Sequence, residues 1–176
     1  MLPSPARNWP RPQPGRDFEF ASLAEMKIPE NPTVKLEIAS RIEMVEVVQA
    51  VVSHLCTTMG VEDDGAHYVN VAVRESVVNA VKHGNKLDAN KSVTVWFCCA
   101  PDRIEVAVQD QGQGFDPDSV PNPVAEENLL KAYGRGIFFM RSFMDEIEYG
   151  FPSGGGTMVR MVKRLPSQEE AQQSSA

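Results

Sequence analysis

The sequence is poor in cysteine and contains no long apolar run. Its three cysteines, Cys56, Cys98 and Cys99, form neither a C-x-x-C zinc pattern nor the framework of a disulfide-rich domain. No stretch approaches the roughly 18 apolar residues that a membrane-spanning helix needs. The N-terminus also lacks the apolar segment of a secretory signal. We therefore expect a cytoplasmic protein that does not contact a membrane.

Basic residues are outnumbered as well. The 176 residues include 17 Lys and Arg against 24 Asp and Glu, a formal net charge of −7. Nucleic-acid binders normally carry a basic face, so this balance argues against direct nucleic-acid binding. A polyanionic ligand would have to be bound by local features that attract anions, such as a metal ion, helix N-termini or a few basic side chains.

Proline is concentrated at one end of the chain. Seven of the thirteen prolines lie within the first 32 residues, and such a segment does not form regular structure. We expect a flexible arm over residues 1–30, a folded domain over residues 31–165 and a polar, flexible tail over residues 166–176. The domain is long enough to bury a substantial core.

The pattern within residues 31–165 predicts an α/β (α+β) two-layer sandwich, with helices on one face of a mixed, mostly antiparallel sheet. Two helices end at Gly60 and Gly84. Two strand pairs read as hairpins, the first joined by Ala100-Pro101-Asp102. In chain order the segments are a strand "TVKLEIAS", helices "RIEMVEVVQAVVSHLCTTMG" and "DDGAHYVNVAVRESVVNAVKHG", strands "KSVTVWFCCA" and "RIEVAVQD", a short helix near "VAEENLLKAY", a helix "GIFFMRSFMDE", and strands "IEYGF" and "GTMVRMVKRL".

The second helix has an unusual polar line. Glu75, Asn79 and His83 stand four residues apart and share one face, with Lys82 beside them. The opposite side forms an apolar core stripe. From the helix alone, a solvated face and the lining of a site explain the line equally well. The core stripe consists of Val73, Val77 and Val81.

A second signal is "DQGQGFD". Asp110 ends a strand whose alternate residues are apolar, and Gly112 and Gly114 permit a close approach of backbone to a ligand. An ionised Asp can accept hydrogen bonds from an exocyclic amine such as adenine N6. A glycine turn with an Asx cap is the alternative.

Two further glycine-rich stretches follow. In "YGRGIFFMR", Gly134 and Gly136 open a helix whose free N–H groups can hold phosphate. The stretch is not a Rossmann fingerprint, and the chain has no phosphate-binding P-loop motif. In "SGGGT", Thr157 begins the final strand, where a plain hairpin turn is the simpler explanation.

The order of these stretches resembles the N, G1, G2 and G3 boxes of the GHKL ATPases (gyrase, Hsp90, histidine kinase and MutL type). These proteins share the Bergerat ATP-binding fold. The resemblance covers roughly residues 35–163. Within the superfamily, "ESVVNAVKHGN" and "GRGIFFMRSFMDEIEY" are most similar to the bacterial anti-sigma factor serine kinases. Histidine kinases usually have Asn at the position of Glu75.

The resemblance implies a Mg²⁺-ATP site. Asn79 would bind Mg²⁺ through its amide oxygen, and Lys82 would reach phosphate. Asp110 would bind adenine N6 with support from Thr157. The remaining implied ligand contacts are His83 in the N box, Gly112 and Gly114 against the base, and Gly134, Arg135, Gly136 and Ile137 in a lid over the triphosphate.

The resemblance also implies an activity and partners. Glu75 would orient or deprotonate a seryl hydroxyl on a partner protein, which makes the chain a protein serine kinase. The partners would be a sigma factor and a small antagonist protein, and the family tends to form homodimers. Two other functions stay open: a module that binds ATP and regulates without transfer, and a stand-alone ATP hydrolase.

Overall fold

A five-stranded sheet frames the computed structural model, which describes residues 28–113, 140, 143–152 and 155–165. The strand order is β1-β2-β3-β5-β4, and each neighbouring pair is antiparallel. Both predicted hairpins are confirmed, because β2 pairs with β3 and β4 pairs with β5. The strands are β1 Val34–Ala39, β2 Ser92–Ala100, β3 Arg103–Gln109, β4 Glu146–Gly150 and β5 Met158–Arg164.

Two helices cover one face of this sheet. A short 3-10 turn, Ile42–Met44, leads into α1, Val45–Thr58, and α2 spans Asp63–Asn79. The apolar stripe of α2 is fully buried, as its spacing predicts. It packs with α1 against the apolar residues of β2 and β3, so the predicted two-layer arrangement is confirmed. The core includes Val48, Val52, Val73, Val77 and Val81 from the helical layer and Val93, Val95, Phe97, Ile104, Val106 and Val108 from the sheet.

The end of the second helix differs from its predicted form. The α-helical geometry stops at Asn79, and Ala80–Gly84 form a π turn in which the N–H of Asn85 donates to the carbonyl of Ala80 at 2.7 Å. The π turn places Asn85 against the sheet, where its side chain binds two other segments. The change from α-helical to π-helical hydrogen bonding therefore occurs where Asn85 contacts the sheet.

Of the three cysteines, Cys56 lies in α1, and Cys98 and Cys99 lie in β2. All three are free. Cys99 packs against the core beneath the helices, whereas the neighbouring Cys98 points to the opposite face near Glu105 and Arg160. No helix in the described part of the chain is long and apolar enough to cross a membrane.

Several predicted segments lie outside the described residues. They are most of residues 1–30, the short helix near "VAEENLLKAY", and residues 166–176. Of the predicted third helix, Met140 and residues 143–146 are described. Met140 and Phe143 are helical, but the predicted end is wrong, because Met144 and Asp145 are not helical and Glu146 begins β4.

Candidate functional site

Asp110 lies at the end of β3 with its side chain held in one orientation. It is 5% exposed. One oxygen, Oδ1, accepts backbone N–H groups from Gly112 at 2.8 Å and from Thr157 at 3.0 Å. The N–H of Asp110 donates in turn to the carbonyl of Thr157 at 3.0 Å. This exchange continues the β3–β5 ladder by one residue, so strand pairing places Thr157 beside Asp110.

The second oxygen, Oδ2, has different surroundings. It lies against Gly84, and it accepts no hydrogen bond from any described residue. Burial raises the pKa of Asp110, while the two backbone N–H bonds and the charge of Lys91 oppose that rise. A fixed carboxylate with one oxygen unpaired in this part of the chain suits a ligand that donates an N–H group, such as the amino group of adenine.

Glycines from three separate segments pack around this carboxylate. A side chain at Gly84 would overlap the Asp110 carboxylate, and one at Gly156 would overlap the Asp110 carbonyl oxygen. A side chain at Gly112 would meet the carbonyl of Gly84. Gly112 is one of the predicted site residues, whereas Gly84 and Gly156 were not assigned to the site from the sequence. Gly84 and Gly156 must lack a side chain because Asp110, which is distant in the sequence, packs directly against both of them.

Asn85 is a second feature that was not predicted. It is 0% exposed, its Nδ2 donates to the Ser92 carbonyl at 2.8 Å, and its Oδ1 accepts the Gln111 N–H at 2.7 Å. The Gln111 side chain accepts the Ser92 N–H at 2.8 Å. An asparagine after a helix-ending glycine reads as an ordinary helix terminus, so the sequence offers little signal for this link.

The polar side of α2 leads toward Asp110. Glu75 and Asn79 are half-buried and lie one α-helical turn apart, as predicted. Lys82 and His83 are exposed and belong to the π turn, so the predicted regular line ends at Asn79. The side chains of Asn79 and Lys82 make no hydrogen bond or ion pair with other described residues.

His83 and Glu75 have distinct electrostatic surroundings. Partial desolvation and the charge of Lys82 lower the pKa of His83, which favours the neutral imidazole. Glu75 accepts a hydrogen bond from Arg74 at 2.8 Å, and the two side chains are 26% and 51% exposed. Such an exposed ion pair contributes little to stability, so it leaves Glu75 available for another contact.

A metal ion would need ligands beyond the protein at this site. Among the residues described here, no group of three or more His, Cys, Asp or Glu could hold a metal. Mg²⁺ accepts few protein ligands when phosphate oxygens and water complete its octahedron. The Asn79 amide, with no described hydrogen bond of its own, fits that requirement.

The predicted site residues divide into three sets. Glu75 and Asn79 lie on α2, and Lys82 and His83 lie in the π turn that follows it. The structure brings Asp110, Gly112 and Thr157 together, at the strand edge where the π turn that follows α2 ends. The predicted residues Gly114, Gly134, Arg135, Gly136 and Ile137 lie outside the described residues.

Comparison with known proteins identifies related sequences over the same region. Residues 38–163 match the histidine kinase-like ATPase domain family. The chain is 31% identical over 151 residues to the serine-protein kinase RsbW of Bacillus subtilis, covering 82% of this chain and 87% of that protein. It is 27% identical over 139 residues to the serine-protein kinase RsbW of Staphylococcus aureus, covering 74% and 87% respectively.

Solved structures show the same fold. A chain in the SiaB–SiaC complex from Pseudomonas aeruginosa aligns with a TM-score of 0.57 at 14% identity, covering 74% of this chain and 89% of that one. The structure of the RsbU and RsbW domains of a Mycobacterium tuberculosis protein aligns with a TM-score of 0.51 at 19% identity, covering 77% and 34%.

Proposed function

Because the chain belongs to the family of histidine kinase-like ATPase domains, we propose that it is an ATP-dependent protein serine kinase of the anti-sigma-factor type. The identity of about 30% to serine-protein kinases over most of both chains supports the kinase activity. The observation that supports nucleotide binding is the buried, oriented carboxylate of Asp110.

In this proposal, Asp110 selects the base. Oδ1 is occupied by two backbone N–H groups, which leaves Oδ2 to accept the amino group of adenine. Guanine presents a carbonyl oxygen at the equivalent position, and two acceptors facing each other repel. Thr157 supports the contact through its N–H to Oδ1. The enzyme should therefore prefer ATP to GTP.

The polar side of α2 binds the triphosphate. Asn79 would hold Mg²⁺ through its amide oxygen, and Lys82 would contact phosphate. The metal would neutralise the charge of the phosphates, because a chain with a net charge of −7 has few cations to spare for that purpose. His83, neutral and next to Lys82, would pack against the nucleotide or hydrogen-bond to it. The predicted lid contacts of Gly114, Gly134, Arg135, Gly136 and Ile137 complete the proposed site.

Glu75 is the proposed catalytic base. The oxygen of a partner's serine attacks the γ-phosphorus, the bond to the β–γ bridging oxygen breaks, and ADP leaves. The serine proton passes to the Glu75 carboxylate. Positioning and charge neutralisation supply most of the acceleration of phosphoryl transfer, and the base contributes about 10²–10⁴-fold.

We propose a small antagonist protein as the serine substrate and a sigma factor as the regulated partner. The chain would hold the sigma factor until phosphorylation changes the state of the antagonist. The likeness to serine-protein kinases RsbW supports this assignment. In this scheme the protein acts in the cytoplasm, binds neither nucleic acid nor membrane directly, and forms a homodimer.

The direct test is incubation with Mg²⁺-ATP and candidate antagonist proteins from the host, followed by phosphosite mapping. We expect phosphoserine on one antagonist, greatly reduced with the Asp110→Asn variant. Asp102→Asn, the same change at an exposed position, serves as the matched control and should retain activity.

Two outcomes would contradict the kinase assignment. ATP binding and regulation without phosphoserine would identify a binding module. Sustained phosphate release without a partner would identify a hydrolase.

A further inference from the structure

We propose that Asn85 is a positioning residue that sets the base selectivity of this site. It would do so by fixing the segments that contain Gly84 and Gly112, two glycines that lie against the Asp110 carboxylate. The inference rests on the proposed function, in which Asp110 binds adenine.

The side-chain amide of Asn85 joins three separate segments. Asn85 itself follows the π turn, Ser92 begins β2, and Gln111 follows Asp110 at the end of β3. Its amide donates to the Ser92 carbonyl at 2.8 Å and accepts the Gln111 N–H at 2.7 Å. The Gln111 side chain closes the ring by accepting the Ser92 N–H at 2.8 Å. Because one partner is a carbonyl and the other an N–H, the orientation of this amide is unambiguous.

Both sides of the Asp110 carboxylate depend on this ring. On one side, Gln111 lies between Asp110 and Gly112, so the bond to its N–H fixes the backbone that delivers the Gly112 N–H to Oδ1. On the other side, Gly84 directly precedes Asn85 and lies against Oδ2. Gly84 and Gly112 also lie against each other, so anchoring Asn85 holds both glycines beside the same carboxylate. If the anchor is lost, Oδ1 keeps the Thr157 N–H but loses the fixed Gly112 N–H, so the carboxylate can rotate and Oδ2 no longer points in one direction.

The site requires asparagine itself. An aspartate has the same shape but cannot donate to the Ser92 carbonyl, and its charge would face that oxygen. A glutamine is longer by one methylene, and a fully buried position does not accommodate the extra volume without a shift of the backbone.

The test compares dissociation constants for Mg²⁺-ATP and Mg²⁺-GTP in the full-length wild type and in Asn85→Asp. We expect ATP binding to weaken about tenfold or more while GTP binding changes little, since one buried hydrogen bond is lost and its partner left unpaired. The preference for ATP should then fall toward one. Asn90→Asp, the same change at an exposed residue of the following turn, should keep the wild-type preference.

If Asn85 only stabilises the fold, Asn85→Asp should have a different effect on the ratio of ATP to GTP affinity. Partial unfolding would weaken both nucleotides by the same factor, so an unchanged ratio in Asn85→Asp would overturn the inference. If Asn85→Asp does not fold, Asn85→Ala decides, because it removes both hydrogen bonds of the amide and adds no buried charge. A reduced preference in Asn85→Ala supports the inference, and a wild-type preference overturns it.

Failure of the proposed function is recognised separately. A wild type that does not prefer ATP, or an Asp110→Asn variant that binds ATP normally, would remove the premise and the inference with it. A wild-type preference that Asp110→Asn abolishes and Asn85→Asp retains would remove the inference alone.

Discussion

At the scale of single residues, the carboxylate of Asp110 has two oxygens in different surroundings. Oδ1 is saturated by N–H groups from two segments, whereas Oδ2 faces Gly84. A carboxylate in this position costs folding energy when it is charged, because burial is the largest influence on its pKa. The same burial strengthens a hydrogen bond to a ligand.

We expect Asp110→Asn to weaken ATP binding by about 1.5–3 kcal/mol, the range for a hydrogen bond to a charged group. Asn can still accept the two N–H groups, but its amide nitrogen then faces the amino group of adenine. Calorimetric titration of the variant measures the effect, with Asp102→Asn as the control. Equal affinity of wild type and variant would contradict the role of Asp110.

The same variant should be more stable than the wild type without nucleotide at neutral pH. Folding raises the pKa of Asp110 above 3.8, so this group favours the folded state below about pH 3.8 and loses that contribution as pH rises through the folded value. Asn has no charge to bury. Urea unfolding at pH 7 should therefore show a higher free energy of unfolding for Asp110→Asn.

The stability difference should shrink as the pH is lowered through the raised pKa of the folded carboxyl toward 3.8, because the folded wild type takes up its proton in that range. A difference that grows on acidification would have the wrong sign and would contradict burial as the dominant cause.

Neighbouring glycines provide a matched pair for the packing around Asp110. Gly155 and Gly156 have φ of +87° and +81°, but an added side chain would overlap another atom, the Asp110 carbonyl oxygen, only at Gly156. Gly155→Ala should destabilise the protein by about 1–2 kcal/mol through its backbone conformation alone. Gly156→Ala should cost clearly more. Chemical denaturation of both variants measures the difference, and equal costs would contradict the close packing.

A site residue can be predicted from the sequence when the residues next to it in the chain already mark it. Asp110, Gly112 and Thr157 were found because each stands at a strand end or beside a glycine. Asn85 and Gly156 were missed because their partners lie in other segments, and nothing in the local sequence marks such contacts.

At the scale of elements, α2 and the π turn that follows it have different functions. The regular part carries Glu75 and Asn79 one turn apart. The π turn, Ala80–Gly84, brings the chain to the C-terminal end of the central strand β3, next to Asp110. The sequence predicts the helix and its buried stripe, since both follow from spacing. It does not predict the π turn, which depends on the contacts of Gly84 and Asn85 with the sheet.

Glu75→Gln should reduce phosphotransfer by about 10²–10⁴-fold while leaving ATP affinity unchanged. The change keeps the size of the side chain and removes its ability to accept a proton. Stability should hardly change, because the ion pair with Arg74 is exposed. Single-turnover phosphorylation of the partner and calorimetry with ATP measure the two effects.

Arg74→Ala is the matched control for Glu75→Gln, since it removes the same ion pair without removing the base. Similar losses of phosphotransfer in both variants would indicate that the pair, and not the carboxylate, is required.

At the scale of the whole molecule, the net charge makes a dependence on the proposed metal testable. The chain carries −7 and must bind a triphosphate that is also negative. We expect removal of divalent cations by a chelator to weaken ATP binding about tenfold or more, since the cation neutralises phosphate charge. Adenosine, which lacks phosphate, should bind equally well with and without the chelator.

Calorimetry with both ligands separates these contributions. ATP affinity that is insensitive to the chelator would argue against a metal at Asn79. A parallel loss for adenosine would indicate that the chelator acts on the protein itself.

Strand order is the part of the fold that local sequence could not supply. Turn signals predict which strands form hairpins, but the pairing of β5 with β3 joins segments far apart in the chain. That pairing places Thr157 beside Asp110, so the site exists only once the sheet is complete. The resemblance to a known family implied that Asp110 and Thr157 share a site but gave no strand order, and the match of residues 38–163 confirms the family.

The crowding of Gly84, Gly112 and Gly156 around one carboxylate has a consequence for genetics. An allele with alanine at any of these positions would impair protein abundance and ligand recognition together, so its phenotype could not be assigned to either. Asp110→Asn changes a side-chain atom and leaves the backbone as it is. Because we expect it to weaken ligand recognition without lowering stability, a loss of function in a strain with this allele can be assigned to nucleotide recognition.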